Sequence, residues 1–159
     1  MLDSFVGINT EEKQSLIDAI PEITVLIAGA DGTIDTTEVA WAKKLTGIRS
    51  YTNPESLQEY YGYVGDEFED KLNALIKELP EDVNARNTIL RDKLTKLNPI
   101  LAKLKAEHAY GLYNSFISFA EHVAKASGGF LRMWSISGEE KEWINLPMLN
   151  KIEKPEEEA

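Results

Sequence analysis

The sequence predicts an all-α fold, and two observations carry that prediction. Apolar residues recur at steps of three and four, as on the buried face of a helix, and no segment shows the two-residue alternation of a strand. Prolines also fall where helices would begin, because the first turn of a helix does not need the missing N–H. We expect a compact helical bundle of about seven helices, folded as one domain over residues 1–150.

Capping residues and prolines set the predicted helix boundaries. Thr10 is the expected N-cap of a first helix that ends at Pro21, and Pro21 opens a second, buried helix over residues 21–30. Polar residues interrupt the apolar run of that second helix only at Glu22 and Thr24. The dipeptides that start the next three helices are Asn53-Pro54, Leu79-Pro80 and Asn98-Pro99.

The last of these helices, over residues 99–126, has the longest apolar stripe and is predicted to be the central one. Gly62 and Gly65 predict a break in an earlier helix, since each glycine costs about 1 kcal/mol in a helix interior. The acidic tail, residues 151–159, has little to bury and is predicted to be disordered.

Composition excludes several kinds of site. The chain has 17 Lys and Arg against 27 Asp and Glu, a net charge of −10 that makes a nucleic-acid partner unexpected. The absence of cysteine excludes disulfides, thiol chemistry and Cys-ligated metals. The chain shows neither a signal-peptide pattern nor an apolar run of about 18 residues, so we expect a cytoplasmic protein without a transmembrane segment.

A helix–loop–helix segment occurs twice in the chain. Residues 27–32 align with residues 123–128, and residues 34–41 align with residues 136–143. The offset rises from 96 to 102, so the second loop carries an insertion. Each copy has a polar residue followed three positions later by Glu, the pattern of a capping box; the pairs are Asp35 with Glu38 and Ser137 with Glu140.

The segment Ala28-Gly29-Ala30-Asp31-Gly32-Thr33-Ile34-Asp35-Thr36-Thr37-Glu38, with its echo over residues 124–143, resembles the TerB-like (tellurite-resistance TerB) family. The resemblance implies an all-helical fold of two pseudo-symmetric helix–loop–helix halves. It also implies a link to stress response or tellurite resistance, and acidic loop residues proposed to bind metal. Where the family tends to repeat its Asp-Gly, this chain has Ser127-Gly128 and the inserted residues 129–134.

Asp31, Asp35 and Glu38 form the candidate metal site. Three carboxylates within eight residues suit a hard cation such as Ca²⁺ or Mg²⁺. The alternative is purely structural: Asp31 makes a turn, and Asp35 and Glu38 cap the following helix.

The candidate partner site is an unusually apolar loop segment. Its large side chains are Phe130, Leu131, Met133 and Trp134. Such groups either fold back over the bundle or dock a protein partner. The tyrosines and the two histidines, His108 and His122, are expected to be ordinary packing or surface residues, and the histidines lie about 21 Å apart along one helix.

These observations favour a non-catalytic binding or scaffold module that recognises protein partners and holds a divalent cation in its acidic loop. The chain has no Gly-x-Ser-x-Gly motif and no phosphate-binding loop, so no catalytic or cofactor-binding residue is assigned. One alternative is a metal-free protein–protein interaction domain. Another is a small-molecule enzyme, which requires a pocket with perturbed acids that sequence does not reveal.

Overall fold

The computed structural model describes residues 1–30, 34, 36–52, 55–126 and 144–156, without the side chains of residues 51–56. The helices are α1 (Thr10–Ala28), α2 (Thr36–Thr52), α3 (Glu55–Glu78), α4 (Val83–Thr95), α5 (Leu97–Lys103) and α6 (Ala106–Ala126). No strand occurs within these residues, so the predicted all-α class is confirmed. Most of the second copy of the repeat, residues 127–143, lies outside the described residues, so the two pseudo-symmetric halves stay a prediction.

The centre of the bundle is α1, not the helix predicted over residues 99–126. This helix packs against each of the other five described helices. Every residue from Ala19 to Ala28 is buried, on all sides of the helix. A helix without a polar face is stable only when other elements surround it, so α2 to α6 form a layer around the second half of α1.

Helix α1 continues through Pro21, where the sequence predicts a boundary. Pro21 lacks the N–H that would bond to the Ile17 carbonyl, which weakens the helix locally. The hydroxyl of Tyr60 donates a hydrogen bond to the neighbouring Leu16 carbonyl, so a side chain of α3 supplies a donor at this turn. Apolar residues on both sides of the proline pack into one core, and this burial keeps the two segments in a single helix.

Both ends of α1 have capping groups. The N-cap is Asn9 rather than Thr10: Asn9 accepts a hydrogen bond from the Glu12 N–H, and the Glu12 carboxylate accepts one from the Asn9 N–H. At the other end, the buried guanidinium of Arg86 on α4 donates to the Gly29 carbonyl over 2.5 Å. Because α1 has no basic residue in its own last turn, Arg86 provides the positive charge that a helix C-terminus favours.

Several other predicted boundaries also differ. The helix predicted to start at Leu79-Pro80 begins at Val83, after its N-cap Asp82, and Pro99 lies within α5 rather than at its start. Helix α3 is unbroken through Gly62 and Gly65, because its packing against α1 and α2 outweighs the weak helix propensity of glycine. The helix predicted over residues 99–126 is divided: Leu104 has an extended backbone between α5 and α6. The chain turns there because α5 is a short helix whose own apolar residues, Ile100 and Leu101, face the core.

A buried guanidinium joins α2 to α3 and α6. Arg49 Nη1 donates to the Tyr61 hydroxyl at 2.9 Å and to the Ser115 hydroxyl at 2.9 Å, and Nη2 donates to the Ser118 hydroxyl at 2.7 Å. The guanidinium also lies 5.3 Å from the ring centre of Tyr61 and 5.4 Å from that of Phe119. Among the described residues, hydroxyls, the Ser115 carbonyl and aromatic faces therefore surround this charge, where a carboxylate usually accompanies a buried arginine.

The segment over residues 144–156 returns to the bundle. Leu146 and Leu149 are buried, and Ile152, within the tail predicted to be disordered, packs against the core. The Asn98 side chain fixes this segment by donating to the Met148 carbonyl and accepting from a backbone N–H two residues later. Residues 157–159 lie outside the described residues.

We expect Arg49→Ala to lower the free energy of unfolding by about 3 kcal/mol, because it removes the charged donor that these hydroxyls share and creates a void between three helices. Urea denaturation measures this change. The stability of Arg49→Lys should lie between that of the wild type and that of Arg49→Ala, since lysine keeps the charge but lacks the second branch of the guanidinium. Arg91→Ala, at an exposed position of α4, is the control. A loss below about 1 kcal/mol for Arg49→Ala would contradict the structural role.

Candidate functional site

A groove of about 530 Å³ lies between the first half of α2 and the last turn of α6. Its described lining residues are Thr37, Ala40, Trp41 and Lys44 of α2, and His122, Lys125 and Ala126 of α6. The α2 residues recur at steps of three and four, so they form one stripe along the helix. Small-molecule sites usually enclose about 300–1,000 Å³, and the groove is within that range.

The charged groups on the described lining of this groove are basic. Lys44 lies over the indole of Trp41, with Nζ 5.7 Å from the ring centre. Lys125 follows from the last turn of α6, and none of the described lining residues is acidic. In a chain with a net charge of −10, such a lining is a local reversal of the overall charge.

His122 lines the α6 side of the same groove. Partial burial lowers the pKa of its imidazole below the usual value, and the nearby positive charge of Arg49 lowers it further. The imidazole is therefore neutral at pH 7, where it can either donate or accept one hydrogen bond. An apolar floor with flanking ammonium groups can hold an organic anion that also has an apolar body.

A second, smaller cavity of about 180 Å³ lies among α1, α3 and α4. Glu22, one of the two polar residues in the buried half of α1, lines it together with Asp18 of the same helix. Lys71 of α3 and Lys93 of α4 face the same space. Burial raises the pKa of the Glu22 carboxyl to about 8, although Lys93 and Lys71 oppose the shift. The Glu22 carboxyl is therefore protonated at pH 7.

Of the three residues of the predicted metal site, the structure describes Glu38. Glu38 is fully buried in the first turn of α2, whereas Asp31 and Asp35 lie outside the described residues. Within the described part of the chain, no three His, Asp or Glu side chains are grouped as metal ligands. The predicted partner site also lies outside this part; its residues are Phe130, Leu131, Met133 and Trp134.

Sequence reasoning missed both the groove and the cavity. It treated His122 as an ordinary residue and noted Glu22 only as a polar interruption of an apolar helix. The interruption was the available signal for Glu22, since a lone carboxylate in an otherwise buried segment is rare. The groove had no such signal, because Lys44 and Lys125 come together only when α2 packs against α6.

Of the described helices, none is long and apolar enough to cross a membrane.

We expect the stability of the protein to fall as the pH rises from about 4.5 to about 8, the unfolded and folded pKa values of Glu22. Over this window the folded state keeps a proton that the unfolded state has lost. Glu22→Gln should remove this contribution. The variant should match the wild type near pH 4 and exceed it by about 3–5 kcal/mol near pH 9.

Urea denaturation at both pH values measures the difference. Glu81→Gln, at an exposed position, should keep the wild-type pH dependence. If Glu22→Gln and the wild type lose stability in parallel as the pH rises, the carboxyl of Glu22 does not carry the effect.

No family model matches the chain, and neither a curated protein nor a solved structure is significantly similar to it. What the protein does must then be inferred from its own side chains and their arrangement.

Proposed function

We propose that the protein is a non-catalytic binding module, of the kind that the resemblance to the TerB-like family implies. Its ligand is a small organic anion with an apolar body, held in the groove between α2 and α6. The single observation that carries this proposal is the combination of an apolar floor with basic groups and no described acidic ones, in a strongly acidic chain. The membership of the family and the link to stress response are part of the proposal.

Three features of the groove support an anionic ligand. The indole of Trp41 offers a flat apolar surface, and Lys44 lies above it as a counter-charge. Lys125 is near the α6 C-terminus, where the helix dipole favours a cation and so keeps it in place. The neutral imidazole of His122 can donate a hydrogen bond to the anion without adding a charge of its own.

We expect anilinonaphthalene sulfonate, an aromatic anion, to bind the native protein with a rise in fluorescence. The double variant Lys44→Gln/Lys125→Gln should weaken binding by about tenfold, because it removes both counter-charges while keeping side-chain length. Trp41→Ala should weaken binding by a similar factor through loss of apolar contact. Titration at low ionic strength measures these affinities, and near-UV circular dichroism verifies that each variant is folded.

Two controls separate this groove from general dye binding. Lys96→Gln, remote from the groove, should leave the affinity unchanged, and a neutral phenylnaphthylamine should bind wild type and the double variant equally. The affinity for the sulfonate should rise as the pH falls below about 6.5, the ordinary imidazole pKa, since protonation of His122 adds a positive charge; His122→Gln should lose this rise. Equal sulfonate affinity in wild type and the double variant would contradict the proposal.

A divalent-cation site in the loop before α2 is a second candidate. The observation in its favour is the position of Glu38: its side chain is buried in the first turn of α2, and Asp31 and Asp35 precede it in sequence by seven and three residues. The same position suits a capping box, in which Asp35 accepts from the first-turn N–H groups. The two roles differ in their response to added cation.

If the loop binds a cation, millimolar Ca²⁺ or Mg²⁺ should raise the melting temperature of the wild type, and Asp35→Ala should abolish that rise. If Asp35 only caps the helix, the variant loses about 0.5–2 kcal/mol of stability with or without the ion. Differential scanning calorimetry distinguishes the two results. If millimolar ion does not raise the melting temperature of the wild type, the cation site is contradicted and only the capping role remains.

A further inference from the structure

The cavity among α1, α3 and α4 is lined by charged groups of both signs and plays no part in the proposed binding of an anion in the groove. We infer that it binds a small zwitterion of the α-amino-acid kind, with its ammonium group on Glu22 and its carboxylate on Lys93. This site is separate from the groove between α2 and α6. The inference about the cavity does not depend on the proposed function of the groove.

The first support is the position of Glu22. This side chain is only 7% exposed and lines the cavity, and its carboxyl takes part in none of the hydrogen bonds among the described residues. The other polar residue of the same buried segment, Thr24, bonds to the Ile20 carbonyl at 2.8 Å. Buried polar groups in proteins are almost always hydrogen-bonded, so the cavity is the place from which a partner for Glu22 would come.

The second support is the presence of both charge signs around one small space. Lys71 Nζ lies 3.5 Å from Asp18 Oδ1, so these two groups largely neutralise each other. Glu22 in the interior and Lys93 and Glu78 at the exposed rim are the other charged lining groups. A simple cation would lie near the two lysines, and a simple anion would lie near the carboxylates of Asp18 and Glu78. A zwitterion can pair with a member of each set.

The third support is size. The cavity holds about 180 Å³, below the range of about 300–1,000 Å³ that is usual for drug-sized ligands, so it suits a small ligand. Glycine and alanine are the smallest α-amino acids. Ala74 and Leu75 supply the apolar part of the lining, which suits a short aliphatic side chain.

Binding at this site should release a proton. Without ligand, burial keeps the Glu22 carboxyl protonated at pH 7 against the opposing Lys93 and Lys71, with Asp18 adding to the shift. Glu78 is the other titratable lining group. An ammonium group beside Glu22 favours the carboxylate, so the carboxyl gives its proton to solvent when the ligand binds. A site made only of ionised carboxylates would show no such release.

Isothermal titration calorimetry with glycine and with L-alanine at pH 7, in two buffers of different ionisation heat, tests the inference. Both probes should bind the native chain with release of a substantial fraction of one proton. Glu22→Gln should lower the affinity by about tenfold or more and abolish the release, because the amide carries no charge. Lys93→Gln, at an exposed position that does not threaten folding, should lower the affinity severalfold and keep the release. Glu81→Gln should change neither.

Methylamine and acetate, each with one of the two charges, complete the experiment. Both should bind much more weakly than glycine. If methylamine binds as tightly as glycine, the site recognises a cation and the inference is wrong. If neither amino acid binds at millimolar concentration, or if binding is the same in Glu22→Gln and Lys93→Gln as in the wild type, the inference is equally overturned.

Discussion

The buried second half of α1 is the constraint on which the rest of the structure depends. From Ala19 to Ala28 this helix has no solvent-facing side, so it is stable only inside a layer of other helices. The remaining described helices pack against it, and their own apolar stripes face it. The same constraint explains why Pro21 does not end the helix, since a break there would expose apolar residues on both sides.

Polar groups within this core are accommodated in different ways. Arg49 is surrounded by hydroxyls and aromatic rings, whereas Arg86 is placed at the C-terminal end of α1, where the helix carbonyls favour positive charge. The Thr24 hydroxyl donates a hydrogen bond to the Ile20 carbonyl of its own helix. Glu22 differs from these three, because its carboxyl faces a cavity and has no protein donor among the described residues. That difference is the reason why we propose a binding role for Glu22.

The groove and the cavity differ in the charges that line them. The described charged groups of the groove are basic, whereas the cavity is lined by both acidic and basic groups. The groove presents basic groups over an apolar floor, and the imidazole at its edge gains a proton as the pH falls. The cavity contains a buried carboxyl that loses a proton when a positive group approaches. An anion in the groove would therefore favour proton uptake and an ammonium group in the cavity proton release, so the two sites have separate thermodynamic signatures.

The sequence by itself determined the helical class, because the spacing of apolar residues and the positions of prolines are local properties. It placed a helix boundary near Pro80, where α3 has ended at Glu78, but not the start of the next helix, which is at Val83. Tertiary packing decided that α1 continues through Pro21 and is the central helix, since burial outweighs a local proline penalty. It alone brought Lys44 beside Lys125 and left Glu22 facing a cavity, because these residues are far apart in sequence and meet only through the packing of helices around α1.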